Sequence, residues 1–213
     1  MSEHCDFSVK FWGVRGSISI SDPESVRYGG NTSCLEVRCG DRLLIFDAGS
    51  GLRYLGNKLV ESGETIDADL FLTHTHYDHI CGIPFFKPFF NPQNTFRLRA
   101  GHLLPENDLR SVLCNLMTSP LFPVPLEIFQ SKIEFHDFLV GDTLNAGPDV
   151  VVRTASLNHP DGSSGYRVEF NGQSICYLTD TEHVEGELDQ TILKLIDGAD
   201  IVIYDSMFTL KKV

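Results

Sequence analysis

"FLTHTHYDHICG", residues 71–82, closes an apolar run with His74, His76, Asp78 and His79 inside six positions. His74 and His76 are two apart, so on extended backbone both imidazoles point to one side. Asp78 and His79 follow around a turn. Histidine and carboxylate are the common ligands of zinc, manganese and iron. The spacing therefore predicts a metal cluster, with His74 and His76 on one cation and Asp78 and His79 on a second. Two ligands per cation are too few, and distant segments must supply more. "LNHPDGSSGYRV" offers His159 in a loop before a strand, and "CYLTDTEH" offers Asp180 at a strand end.

Outward from the cluster, the first half reads as strands and short turns. "FSVKFWGV" alternates as a half-buried strand does. "CLEVRCGDRLLIFDAG" reads as a hairpin about Gly40-Asp41. "GLRYLGNKLVESG" has Leu52, Leu55 and Leu59 at helical spacing and a stop near Gly63. In the middle, "IPFFKPFFNPQ" reads as a lid or wall, or as plain core cover. "PENDLRSVLCNLM" reads as a helix starting near Pro105 or Asn107, and "TSPLFPVPL" is too Pro-rich for a regular element. In the second half, Asn171-Gly172 marks a hairpin, "LDQTILKLIDGA" an amphipathic helix, and "DIVIYDS" a strand ending at Asp205. Strands alternating with helices predict mixed α/β, with sheets covered by helices.

The 213 residues suffice for one domain. No apolar run reaches membrane-span length, and no secretory signal opens the chain, so the expected setting is cytoplasmic. None of the six cysteines forms a C-x-x-C pair; they read as buried, reduced thiols. The net charge of −12, with no Lys/Arg cluster along the chain, disfavours polymeric nucleic acid.

"HTHYDH", with "FDAGSG" upstream and "NHPDG" and "LTDTE" downstream, resembles the metallo-β-lactamase superfamily. The opening "VKFWGVRGSISI…YGGNTSCLEV" is similar to a bacterial cyclic-phosphodiesterase-like branch of metallo-hydrolases. The resemblance spans nearly all of residues 8 to 209. It implies a four-layer αββα sandwich with the site at one edge between the sheets. It implies His74, His76 and His159 on the first metal, Asp78 and His79 on the second, and Asp180 bridging them. Asp47 of "FDAGSG" would support the ligands from behind, as would Asp205. The resemblance also implies one more histidine from a segment beyond "DIVIYDS". No histidine follows His183, so the expectation is a single domain over residues 1–213, C-terminally shortened and lacking its last elements. His4, His102, His136 and His183 are the other histidines.

The implied activity is that of a dinuclear-metal hydrolase. Two divalent ions, zinc before manganese or iron, share a hydroxide that attacks phosphorus or carbonyl carbon, with Asp78 taking or relaying the proton. A phosphodiesterase acting on a small phosphodiester is the leading reading. A lactone or ester hydrolase, its acyl pocket lined by Phe85, Phe86, Phe89 and Phe90, is the second. A metal-binding module without turnover is the third. The expected partner is a small-molecule substrate, with no membrane; relatives often form homodimers, so a homodimer is also expected.

Overall fold

The computed structural model describes residues 7–206. His4 and Cys5 lie outside them. The chain divides into two compact units, the first running to Phe138 and the second from Leu139.

The first unit is built on a six-stranded sheet in the order β1-β2-β3-β4-β5-β6: Phe7–Gly13, Cys34–Cys39, Arg42–Phe46, Asp67–Leu72, Thr95–Ala100 and Lys132–Asp137. β1, β2 and β3 pair antiparallel, and β3 through β6 run parallel. The β2–β3 hairpin turns at Gly40, whose φ of 55° suits a residue without Cβ. Parallel neighbours need crossovers, and α1 (Gly51–Ser62) is the one between β3 and β4. Its Leu52, Leu55 and Leu59 pack on Leu43, Ile45, Ala68, Leu70 and Leu72 of the sheet. It stops at Gly63, which is left-handed at φ 71°.

The aromatic segment after the histidines forms two 3-10 turns, Ile83–Phe85 and Lys87–Phe90. Phe86 and Phe89 are fully buried and stack edge-on with each other and with Phe96. They are core and line no acyl pocket; only Phe85 and Phe90 are exposed. The next helices are α2 (Tyr77–Ile80), within the histidine run, and α3 (Leu109–Leu116). α3 begins at Leu109, two residues after Asn107 and four after Pro105. Its N-cap is Asp108, whose carboxylate accepts from Ser111 N–H at 2.9 Å; an aspartate side chain caps orphan amides that proline and the Asn107 backbone leave open.

Buried Asp69 on β4 accepts from Arg42 Nη2 at 2.5 Å, Arg99 Nε at 2.8 Å and Arg97 Nε. Asp67 also takes Arg97 and Arg42. Three arginines thus gather on neighbouring strands although no basic cluster exists along the chain; the two aspartates neutralise most of their charge.

The second unit is a five-stranded sheet ordered β11-β10-β9-β8-β7: Ile201–Tyr204, Gln173–Leu178, Ser163–Phe170, Val151–Leu157 and Thr143–Asn145. The β9–β10 hairpin turns at Asn171 and Gly172, both with positive φ, as a two-residue primed turn requires. α4 (Gln190–Ile196), capped by Asp189, crosses between the parallel pair β10 and β11. Its Ile192 and Leu195 pack on Ala155, Leu157, Cys176 and Leu178. No helix among the described residues is long and apolar enough to cross a membrane.

Candidate metal centre

Parallel pairing decides which loops share an edge. Phe46 of β3 is level with Phe71, and Leu72 of β4 with Ala100 of β5. Asp47, the run Thr73–His79 and His102 therefore all emerge at the carboxyl edge of the first sheet, where open parallel sheets carry their ligands.

Two loops interlock there. Ala48 N–H donates to His79 O, and Gly82 N–H returns to Ala48 O, each at 2.8 Å. A Cβ on Gly49 would lie 2.3 Å from Asp78 O, and one on Gly82 would lie 2.1 Å from Gly49 O. Only glycine admits that approach, so "DAGSG" and the turn after "HYDH" fix one another.

Asp47 is fully buried and left-handed at φ 59°, a conformation aspartate tolerates better than most residues. Its carboxylate accepts from Thr73 N–H at 2.8 Å and from Thr73 Oγ1–H at 2.9 Å. It also lies 2.9 Å from His79 Nδ1. Thr73 Oγ1 lies 3.1 Å from His74 Nδ1.

These contacts assign the protons. A carboxylate only accepts, so the Thr73 hydroxyl spends its single proton on Asp47. The hydroxyl then has lone pairs left, and His74 must donate from Nδ1–H. His79 likewise donates from Nδ1–H to Asp47. With both rings neutral, Nε2 is then the unprotonated nitrogen of each. His74 Nε2 lies 2.9 Å from His76 Nδ1, and His79 Nε2 lies 3.5 Å from Asp78 Oδ2. A ligand imidazole needs one nitrogen anchored by a neighbour and the other presented bare. The donors of this unit fit a divalent cation on that ground. Asp78 is itself held by Ser17 N–H at 2.7 Å, from a left-handed turn after β1 at φ 64°.

The second unit presents its residues in the same way. β10 is antiparallel to β9 and parallel to β11, with Leu178 level with Tyr204. His159 lies in the β8–β9 turn, Asp180 follows β10, and Asp205 follows β11, so the three share one sheet edge. Asn158 clamps two of these loops: its carbonyl accepts from Glu182 N–H at 2.7 Å, and its Nδ2 donates to Glu182 O at 3.0 Å. Asp180 is left-handed at φ 52° and accepts from Thr179 Oγ1. Asp205 donates its backbone N–H to Leu178 O, which extends the β10–β11 pairing. His183 stacks on Tyr204 with Nε2 3.2 Å from its hydroxyl, and His136 pairs with Glu134 on β6.

Sequence reasoning missed Thr73, Ser17 and His102. A threonine before a histidine carries no signal by itself. The backbone amide of Ser17 is sixty-one residues from Asp78, and a lone histidine is silent until its neighbours are known.

The sequence model of a family described as "Beta-lactamase superfamily domain" matches residues 42–212. Comparison with curated protein sequences gives no match. Among solved structures, the metallo-beta-lactamase fold protein YhfI from Bacillus subtilis superposes with a TM-score of 0.62 at 17% identity, over 91% of this chain and 68% of that one. A diphosphatase of the PhnP family gives 0.64 at 18%, over 91% and 72%. Human tRNase Z, short form, gives 0.61 at 20%, over 91% and 76%. At these identities the likeness is one of fold.

Proposed function

Given that this chain belongs to the metallo-β-lactamase superfamily and has its α/β fold, whose members are generally metal-dependent hydrolases, we propose that it is a metal-dependent phosphodiesterase acting on a small phosphodiester. The carrying observation is the wiring of Asp47 and Thr73, which anchors His74 and His79 each by its Nδ1. Such anchoring of one ring nitrogen is what a ligand imidazole needs.

In this reading, which carries over the family resemblance, His74, His76 and His159 would hold one divalent cation, Asp78 and His79 a second, and Asp180 would serve both. Bound cations supply Lewis acidity toward a phosphoryl oxygen and make water acidic near neutral pH. Zinc, manganese and iron all suit imidazole and carboxylate donors. The chain's own part is orientation and proton handling. Asp47 keeps the His79 ring turned and balances positive charge behind it. Asp78, fixed by Ser17 N–H, accepts the proton of the attacking water at its carboxylate. The Asn158 clamp fixes the loops that bring His159 and Asp180.

A phosphodiester substrate is supported by fold neighbours whose names include a diphosphatase and a tRNase. The burial of Phe86 and Phe89 removes one argument for an acyl pocket. The test is turnover by the zinc- or manganese-loaded chain. Hydrolysis of bis(p-nitrophenyl) phosphate that is lost with Asp78→Ala, without lactone turnover, is the expected result. Lactone turnover with no phosphodiester cleavage overturns the reading, as does metal binding with neither activity.

A further inference from the structure

β5 ends at Ala100, level with Leu72, and this brings His102 beside the histidine run. Its Nε2 lies 3.1 Å from Thr75 Oγ1, and its ring stands edge-on to His74 with centroids 6.5 Å apart. His102 Nδ1 is buried with no hydrogen-bond partner among the described residues. The hydrogen bond between His102 Nε2 and Thr75 Oγ1 is thus the polar contact that ties this ring to the histidine run.

Thr75 lies between His74 and His76. The rings of His74 and His76 meet, with Nε2 and Nδ1 2.9 Å apart, so a partner on Thr75 holds the residue between the two. We propose that His102 is a positioning residue of the candidate centre: through Thr75 it fixes the His74–Thr75–His76 backbone so that both imidazoles converge on one cation. The proposal rests on the reading that His74 and His76 hold a cation.

The experiment is titration of the full chain with Co(II), followed by its visible absorption and by competition with Zn(II). The chains compared are wild type, His102→Ala, Thr75→Val, Thr75→Ser and the His102→Ala/Thr75→Val double variant. Loss of such a supporting contact weakens metal binding about 10-fold. We expect that loss, with an altered Co(II) spectrum, in His102→Ala and in Thr75→Val, no greater loss in the double variant, and wild-type behaviour in Thr75→Ser, which keeps the hydroxyl. Melting of the metal-free chains identifies folded variants, and Thr75→Val stands in if His102→Ala does not fold. Affinity and spectrum unchanged in folded variants overturn the proposal, as do losses that simply add in the double variant. A wild-type chain that takes up no Co(II) overturns both this role and the metal-dependent reading. Metal uptake without phosphodiester cleavage counts against the activity alone.

Discussion

A single hydroxyl sets the protonation of an imidazole: Thr73 Oγ1 gives its proton to Asp47 and has only lone pairs to offer His74. Thr73→Val keeps the shape of the side chain and removes that relay. Metal affinity should fall about 10- to 100-fold in a chelator competition titration, while far-UV circular dichroism stays unchanged. Unchanged affinity would mean that His74 finds its tautomer without help. Asp47→Asn is the harsher change, because the amide can no longer accept from both Thr73 and His79 as a charged group; its loss should exceed that of Thr73→Val in the same titration. Asp69 teaches a different lesson. It is a buried carboxylate facing Arg42, Arg97 and Arg99. Removing one side of a buried ion network costs about 3–5 kcal/mol because the other side stays charged. Asp69→Ala should lose roughly that much in urea unfolding, and metal content in the variant that still folds should match the wild type.

At the scale of elements, the aromatic turns after the histidines are a core component. Phe89 meets Phe86, Phe96 and Phe129 at centroid distances of 4.8, 4.8 and 4.9 Å. Phe89→Ala should destabilise by about 3–5 kcal/mol, read as a lowered denaturation midpoint. Phe90→Ala, at a half-exposed position, should lose far less, and equal losses would contradict the packing described. Legibility in the sequence follows the same division between local and distant. The β2–β3 and β9–β10 hairpins and α1 were readable because Gly40, Asn171-Gly172 and Gly63 punctuate them locally. The histidine run was readable because its donors are contiguous. β5, "TFRLRA", and β6, "KIEFHD", gave less away: their outward positions carry charge that finds partners only when strands far apart in the chain pair. Thr73, Ser17 and His102 were silent for the same reason, since their roles are created by partners on other segments. The start of α3 was misplaced because Pro105 and Asn107 both resemble start signals, and only the Asp108–Ser111 contact distinguishes them.

Across the whole molecule, a net charge of −12 would set the terms on which the proposed phosphodiester substrate approaches. Duplex or long single-stranded nucleic acid binds by exchanging its counterions for basic side chains, which an acidic chain offers sparingly. The three gathered arginines do not change this, because Asp67 and Asp69 already occupy them. A small phosphodiester presents little such repulsion beyond the site itself. In each unit the candidate residues lie at one edge of that unit's own sheet and are of types that suit first-row divalent ions. The central proposal is that the chain binds two cations. Its most direct measurement is elemental analysis of the chain purified without chelator and dialysed against metal-free buffer. The account predicts two equivalents of zinc, manganese or iron per chain. One equivalent would contradict the paired centre, and none would contradict a metal site at His74, His76 and His79 altogether.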